Sequence, residues 1–309
     1  MVNKKFTVFI IVFGALIAST FFIVGDQSSK KLDKNKISVV TSFYPLQYFV
    51  EAVGGDLVTV HNFTPSGSEP HDFEPLPRDL VLLGTADFFV YNGASFEPWV
   101  ERWASGEFPR PKKTLNMTSE LTSRGVELMV NNGKFDPHIW LDPHIVQKEI
   151  EVIKNMLIEV DPSNQGFYTE NAERALQEIT LLDKRFDEGL ASCVLRDIVV
   201  SHEAFGYLAR QYGLKMTSIA GISPDEEPSA KELMRIIDLA KEKKVKYVFF
   251  ETTVSPKLAE TIAREISGGV LVLNPIENLT PHEVQSGEDY RSLMEKNLIN
   301  LRIALGCQG

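Results

Sequence analysis

The stretch Q-G-F-Y-T-E-N-A-E-R-A-L-Q-E-I-T-L-L-D-K-R-F-D-E-G-L, residues 165–190, decides how the rest of the chain divides. Phe167, Ala172, Ala175, Leu176, Ile179, Leu182 and Phe186 recur at helical spacing on one stripe. No proline interrupts the run, and its two glycines, Gly166 and Gly189, sit at its ends. A helix of this length is ~38 Å long, enough to reach from one lobe of a protein to another. Just before it, Asp161-Pro162-Ser163-Asn164 breaks and recaps the chain after another apolar helical pattern beginning near His144.

On either side of this segment the pattern changes to short β-branched runs alternating with helices. Upstream, strands are expected at Ile37 to Phe43, Val58 to Phe63 and Asp87 to Gly93. Helices are expected up to Gly54-Gly55 and over Pro77 to Ala86. Downstream, strands are expected at Asp197 to Ser201, M-T-S-I-A, Val245 to Phe250 and Gly269 to Asn274. Helices there are stopped at Gly213, capped by Ser229, begun by Ser255-Pro256, and closed by a terminal one over Glu288 to Ile303. Strand, helix, strand at this spacing predicts mainly parallel sheets covered on both faces. The fold class is α/β: two lobes joined by one long rigid helix. The expected boundaries are 37–162 for the first lobe, 163–192 for the linking helix and 193–309 for the second lobe.

The chain has 309 residues, a formal net charge of −10 and 43% hydrophobic residues, more than one comfortable core needs. The acidic balance, with no compensating basic face, excludes nucleic acid as a partner. Lys4 and Lys5 precede a run from Phe6 to Gly25 that carries no charge. About 20 apolar residues suffice to span a bilayer, and the positive-inside rule exports everything that follows. Residues 1–25 are therefore expected to be a signal-anchor first and a cleaved signal peptide second, with 26–36 as a polar tether. No cysteine lies near the end of the run, which excludes a lipid-modified cysteine there. The two cysteines, Cys193 and Cys307, either pair in the oxidising exterior or stay as free thiols.

Only six histidines occur, and their placement carries the functional reading. His71 lies in S-G-S-E-P-H-D-F-E-P, the loop after a strand; His138 lies in F-D-P-H-I-W-L-D-P-H; His202 directly follows D-I-V-V-S. Ligands in open α/β sheets gather outside the carboxyl ends of strands. Two histidines come from the first lobe and one from the second, so they can meet in a cleft, joined by Glu277 of L-N-P-I-E-N-L-T. Three imidazoles and one carboxylate suit tetrahedral Zn²⁺, with Mn²⁺ as second choice; Mg²⁺ and Ca²⁺ want more oxygen and Cu(I) wants sulfur. Each residue alone has a plainer role: a solvated loop residue, a packing residue, a helix cap, an acid at a helix start. His144 is a reserve ligand and Glu69 a competing carboxylate, while His61 and His282 are structural or surface. Asp72, Glu74 and Asp142 are candidates to hold imidazoles in their ligating tautomer. An enzyme reading, a zinc hydrolase with Glu277 or Glu69 as base, finds no nucleophile elbow, H-E-x-x-H or paired carboxylates. Three N-x-T sequons, at Asn62, Asn116 and Asn278, permit glycosylation of an exported chain.

Five ordered motifs, S-G-S-E-P-H-D-F-E-P-L-P-R-D-L, D-P-H-I-W-L-D-P, S-H-E-A-F-G-Y-L-A-R-Q-Y-G-L, E-T-T-V-S-P-K-L-A-E-T-I-A-R-E and L-N-P-I-E-N-L-T, resemble the successive signatures of the ZnuA-like family. These are zinc-binding, extracytoplasmic solute-binding components of ABC importers. The resemblance spans about Ile37 to Leu305. It implies a metal held between two lobes by His71, His138, His202 and Glu277, and an ABC permease with its ATPase subunit as partners. Manganese-binding relatives usually carry glutamate where His202 stands. The segment before D-P-H-I-W lacks the histidine-rich loop of many zinc members. Some relatives are surface proteins once labelled adhesins, which leaves adhesion as a third reading. Capture without chemistry is the expected function, with modest rocking of the lobes about the helix.

Overall fold

A computed structural model of the chain describes residues 36–131, 133–226 and 228–308. The expected anchor or signal segment and most of the tether lie outside the described residues. From the amino end, β1 (Ile37–Thr41) leads to α1 (Tyr44–Gly54), β2 (Val58–Asn62), α2 (Pro77–Thr85) and β3 (Phe88–Tyr91). Then come α3 (Pro98–Ser105), β4 (Lys113–Asn116), α4 (Met117–Ser123) and a two-stranded ribbon of β5 (Val130–Asn131) and β6 (Lys134–Phe135). Helix α5 (Pro143–Val160) and the long α6 (Gln165–Leu190) follow. The second half runs β7 (Asp197–Val200), α7 (Gly206–Gln211), β8 (Lys215–Ser218), α8 (Ala230–Glu242), β9 (Tyr247–Phe250), α9 (Lys257–Glu265), β10 (Gly269–Val272), α10 (Pro281–Gln285) and α11 (Tyr290–Leu305).

Two four-stranded parallel sheets result, ordered β2-β1-β3-β4 and β10-β9-β7-β8. Each puts its first strand inside, the second on one flank and the third on the other. The chain reverses its lateral direction between β1 and β3, and again between β7 and β9, which opens a crevice at the carboxyl ends there. Proline at the first turn starts α2, α3, α5 and α10, where its missing N–H is an orphan anyway. Asp142, Ser229 and Thr280 cap α5, α8 and α10 by accepting backbone N–H bonds.

Helix α6 spans the residues expected from the sequence, but its buried stripe is shifted. Tyr168 is buried, with its hydroxyl donating to Asp161 Oδ2 at 2.9 Å, whereas Phe167 is exposed at 39% and lies against Gly55. Tyr168 is in phase with Ala172, Ile179, Leu182 and Phe186, and Phe167 is one residue, about 100°, out of it. Elements α3, β4, α4 and the β5–β6 ribbon were not expected from the sequence. Their runs of two to eight residues are too short to show a period.

One hydrophobic core runs through both sheets, taking Val39 and Val90 from the first and Val200 and Phe249 from the second, with α1, α5, α6 and α11 packed around it. Trp140 Nε1 donates to Pro275 O at 2.7 Å and Tyr290 Oη to Trp140 O at 2.6 Å, stitching the halves together beside the crevice. Cys193 and Cys307 form a disulfide that ties the end of α6 to the end of α11. Closing a loop of 114 residues, it contributes roughly 2–5 kcal/mol.

Glu149 is the anomaly of this core. It is fully buried in α5, and neither carboxylate oxygen has a hydrogen-bond partner. Burial first, then the charge of Asp142, push its pKa up to about 8. A carboxyl whose folded pKa is raised loses stability as pH climbs from its ordinary value toward the folded one. Chemical denaturation of wild type and Glu149→Gln should give stability curves that run parallel below pH 4.5 and diverge by roughly 1–3 kcal/mol in favour of the variant by pH 8. Curves that stay parallel throughout would show that Glu149 does not titrate in this window.

Candidate metal centre

The crevice brings four distant side chains together. His71 sits in a short 3₁₀ turn, Pro70–Asp72, in the loop after β2. His138 precedes the 3₁₀ turn Ile139–Leu141, held by prolines on either side. His202 lies two residues beyond β7, at the reversal point of the second sheet, and Glu277 lies beyond β10. One ligand atom from each falls within 4.8 Å of every other. Glu277 Oε1 lies 3.6 Å from His71 Nε2, 3.3 Å from His138 Nε2 and 3.2 Å from His202 Nε2, and the last two nitrogens are 3.3 Å apart. A four-coordinate ion with bonds of 2.0–2.1 Å would set its ligands roughly 3.3 Å apart. Four of the six edges of the cluster, at 3.2–3.6 Å, match such a tetrahedron, and the two between His71 and the other imidazoles stay within 4.8 Å.

Burial makes this arrangement unusual. His138 and His202 are 0% exposed, Glu277 3% and His71 8%. His71 Nε2 and Glu277 Oε2 are buried without a hydrogen-bond partner, an unusual state for polar atoms. Phe96 packs edge-on against His71, with ring centroids 4.6 Å apart, and Trp140 lies against His138. These rings keep water from the inner wall. On the open side a cleft of about 470 Å³ reaches His71, bordered by Asp72, Phe135, Pro137, Ser223 and Glu226.

Two carboxylates missed in the sequence set the tautomers. Asp136 Oδ1 accepts from His138 Nδ1 at 2.8 Å and from the His138 backbone N–H at 3.0 Å. Glu251 Oε1 accepts from His202 Nδ1 at 2.7 Å. Each bond leaves the Nε2 lone pair aimed at the shared gap. Gly206 makes room for Asp136: a Cβ there would lie 2.6 Å from its Oδ2. The residues expected in this supporting role do other work. Asp142 caps α5, accepting from the His144 N–H, Glu74 pairs with Arg102, and Asp72 shares a hydrogen bond with Asp225 that pushes its pKa up to about 6. The spacing D-P-H, and the place of Glu251 one residue beyond β9 at the strand reversal, were the available signals.

His144 is exposed and bonds Asp183 and Gln211, so it is no reserve ligand. His61 and His282 are exposed, outside the cluster. Glu69 accepts from the His71 N–H at 3.2 Å, and burial together with the charge of Glu277 pushes its pKa up to about 9. It lies beside the cluster and is not one of its four members.

Burial lowers the His202 pKa, but the charges of Glu251 and Glu277 outweigh it and hold the imidazolium well above the ordinary range. Burial likewise acts to lower His138, and bonds to Asp136 and Glu277 reverse it. His71, with weaker support, is lowered by burial. Burial would raise Glu277, yet His202 and His138 hold it well below the usual carboxylate range.

The family model described as ZnuA, "Zinc-uptake complex component A periplasmic", matches residues 39–304. The chain belongs to the ZnuA family. It is 35% identical over 314 residues to the "High-affinity zinc uptake system protein ZnuA" of Bacillus subtilis, covering 94% of this chain and 96% of that one. It is also 35% identical over 293 residues to the "Zinc-binding lipoprotein AdcA" of Streptococcus pneumoniae, covering 91% of this chain but only 58% of AdcA. The crystal structure of the Zn(II)-bound ZnuA-like domain of that AdcA superposes with a TM-score of 0.75 at 36% identity, covering 87% of this chain and 99% of that one. Members of the ZnuA family are uptake components and not enzymes, which removes the hydrolase reading.

Substituting a tautomer-setting carboxylate tests the site without touching a ligand atom. Glu251→Gln and Asp136→Asn should each weaken divalent-metal affinity about 10- to 100-fold, measured by competition with a chelator. Unchanged affinity in both would mean that the carboxylates do not orient the imidazoles.

Proposed function

We propose that this protein captures Zn²⁺ outside the cytoplasm through His71, His138, His202 and Glu277, and passes it to an ABC permease driven by its ATPase. The observation that carries the reading is the convergence of three Nε2 atoms and one carboxylate oxygen, all within 4.8 Å and four of their separations at 3.2–3.6 Å, on side chains at most 8% exposed. Four ligands with nitrogen in the majority favour Zn²⁺ over Mn²⁺, which takes more oxygen. The zinc named in the relatives supports the same choice, and their periplasmic and lipoprotein descriptions support a place outside the cytoplasm. Residues 37–162 and 193–309 form the two lobes in this reading, with 163–192 linking them.

Capture is an exchange of charge. The ligand imidazoles must be neutral to hold the ion, so binding competes with protons and weakens as pH falls. The core shared by both lobes resists wide closure, so large movements of the halves are not part of the cycle.

Isothermal titration should show one Zn²⁺ per chain, bound at least ~100-fold more tightly than Mn²⁺, with His202→Glu narrowing that gap. Repeating it in buffers of different ionisation enthalpy should reveal net proton release. Equal affinity for the two metals would overturn the zinc assignment.

A further inference from the structure

The segment carrying His71 is fastened to the opposite lobe. It leaves the first sheet at Phe63 and Thr64, which are tied back to β1: Phe63 N donates to Thr41 O at 2.9 Å and Thr64 Oγ1 to Ser42 O at 2.7 Å. It packs on the first lobe again at His71, whose ring meets Phe96, at Phe73, which lies against the cluster of Phe63, Leu83 and Trp99, and at Glu74, through the ion pair with Arg102 on α3. Between these points the described hydrogen bonds of Pro65 to Ser68 to another element go to Asn278 and Leu279, in the second lobe. Asn278 Nδ2 donates to Pro65 O at 2.6 Å and to Ser68 O at 2.9 Å. Ser66 Oγ donates to Leu279 O at 2.6 Å, and Gly67 N to the same oxygen at 2.9 Å. Gly67 has a positive φ of 80°, and a Cβ there would lie 3.2 Å from Pro281 Cδ, so the strap lies close on the second lobe.

We propose that Asn278 is a positioning residue that latches this strap and sets the rate at which the bound ion leaves. The inference rests on the reading of the four-residue cluster as a Zn²⁺ site. Asn278 follows Glu277 directly, and its side chain is 4% exposed, so it holds Glu277 and the His71 strap in a fixed relation. The lobes share a core and do not part easily, so the way out for the ion is to unfasten the strap. His71 then swings away while His138, His202 and Glu277 stay in place. A partner that receives the ion has to break or replace the bonds to Pro65 O, Ser68 O and Leu279 O. The same burial keeps the Asn278-Leu279-Thr280 sequon from presenting its amide for glycosylation in the folded protein.

The test is stopped-flow release of Zn²⁺ from the one-to-one loaded protein into excess chromogenic chelator. Asn278→Ala removes both bonds to the strap, together with the one its Oδ1 accepts from Leu279 N, and should speed release roughly 10- to 100-fold. Its Co²⁺ absorption spectrum, which reports the ligand set, should match wild type. Ser66 is exposed and its replacement leaves the core intact. Ser66→Ala should speed release severalfold and Ser66→Thr should restore the wild-type rate, which keeps the proposal decidable if Asn278→Ala folds poorly. Wild-type release from both alanine variants would overturn the latch, as would a changed Co²⁺ spectrum, which would make Asn278 part of the ligand geometry. A wild-type protein that takes up no Zn²⁺ during loading fails before mixing, and that result overturns the zinc reading and the latch together.

Discussion

Three imidazoles and an ionised carboxylate buried in one gap do not rest easily without a cation. Desolvating such groups costs several kcal/mol each, and only close partners repay it. Here the partners are one another and two further acids, Asp136 and Glu251. Removing a ligand leaves the remaining buried groups uncompensated, so the centre behaves as a unit. The rest of the architecture serves to aim and confine this cluster.

The two sheets do so by topology. Each reverses strand order at its centre, and the loops beyond those reversals face the crevice. His202 and Glu251 come directly from the reversal in the second sheet. The corresponding place in the first sheet holds a different device. Ser42, Asn92 and Gly93 all donate to the buried Glu97 carboxylate, and Asn92 Nδ2 donates to Pro137 O at 2.9 Å, next to His138. One half thus supplies a ligand and its orienting acid, and the other supplies a scaffold for a ligand carried on a longer segment. The continuous core and the disulfide from α6 to α11 keep these parts in register.

The sequence announced its long-range plan better than its local detail. A proline-free run of helical period revealed α6, and the β-branched runs revealed most of the strands. The short α3, β4 and α4 were hidden because a few residues carry no readable period. Phe167 and Tyr168 are adjacent aromatics in the first turn of α6, and composition alone does not say which of the two faces the core. The four cluster residues were legible because histidines are few and each follows an element end. Asp136 and Glu251 were not, because an acid in a loop looks the same in sequence whether it faces water or an imidazole. Asp72, Glu74 and Asp142 were chosen for proximity in sequence, and proximity in space selected others.

The central claim is that His71, His138, His202 and Glu277 bind one zinc ion together. X-ray absorption spectroscopy at the zinc edge of the loaded wild-type protein tests it most directly. The expected result is four nitrogen or oxygen scatterers at about 2.0 Å, with imidazole outer-shell features from three rings. Six oxygen-dominated scatterers at longer distance, or a spectrum that is the same in His71→Ala, His138→Ala and His202→Ala, would contradict it.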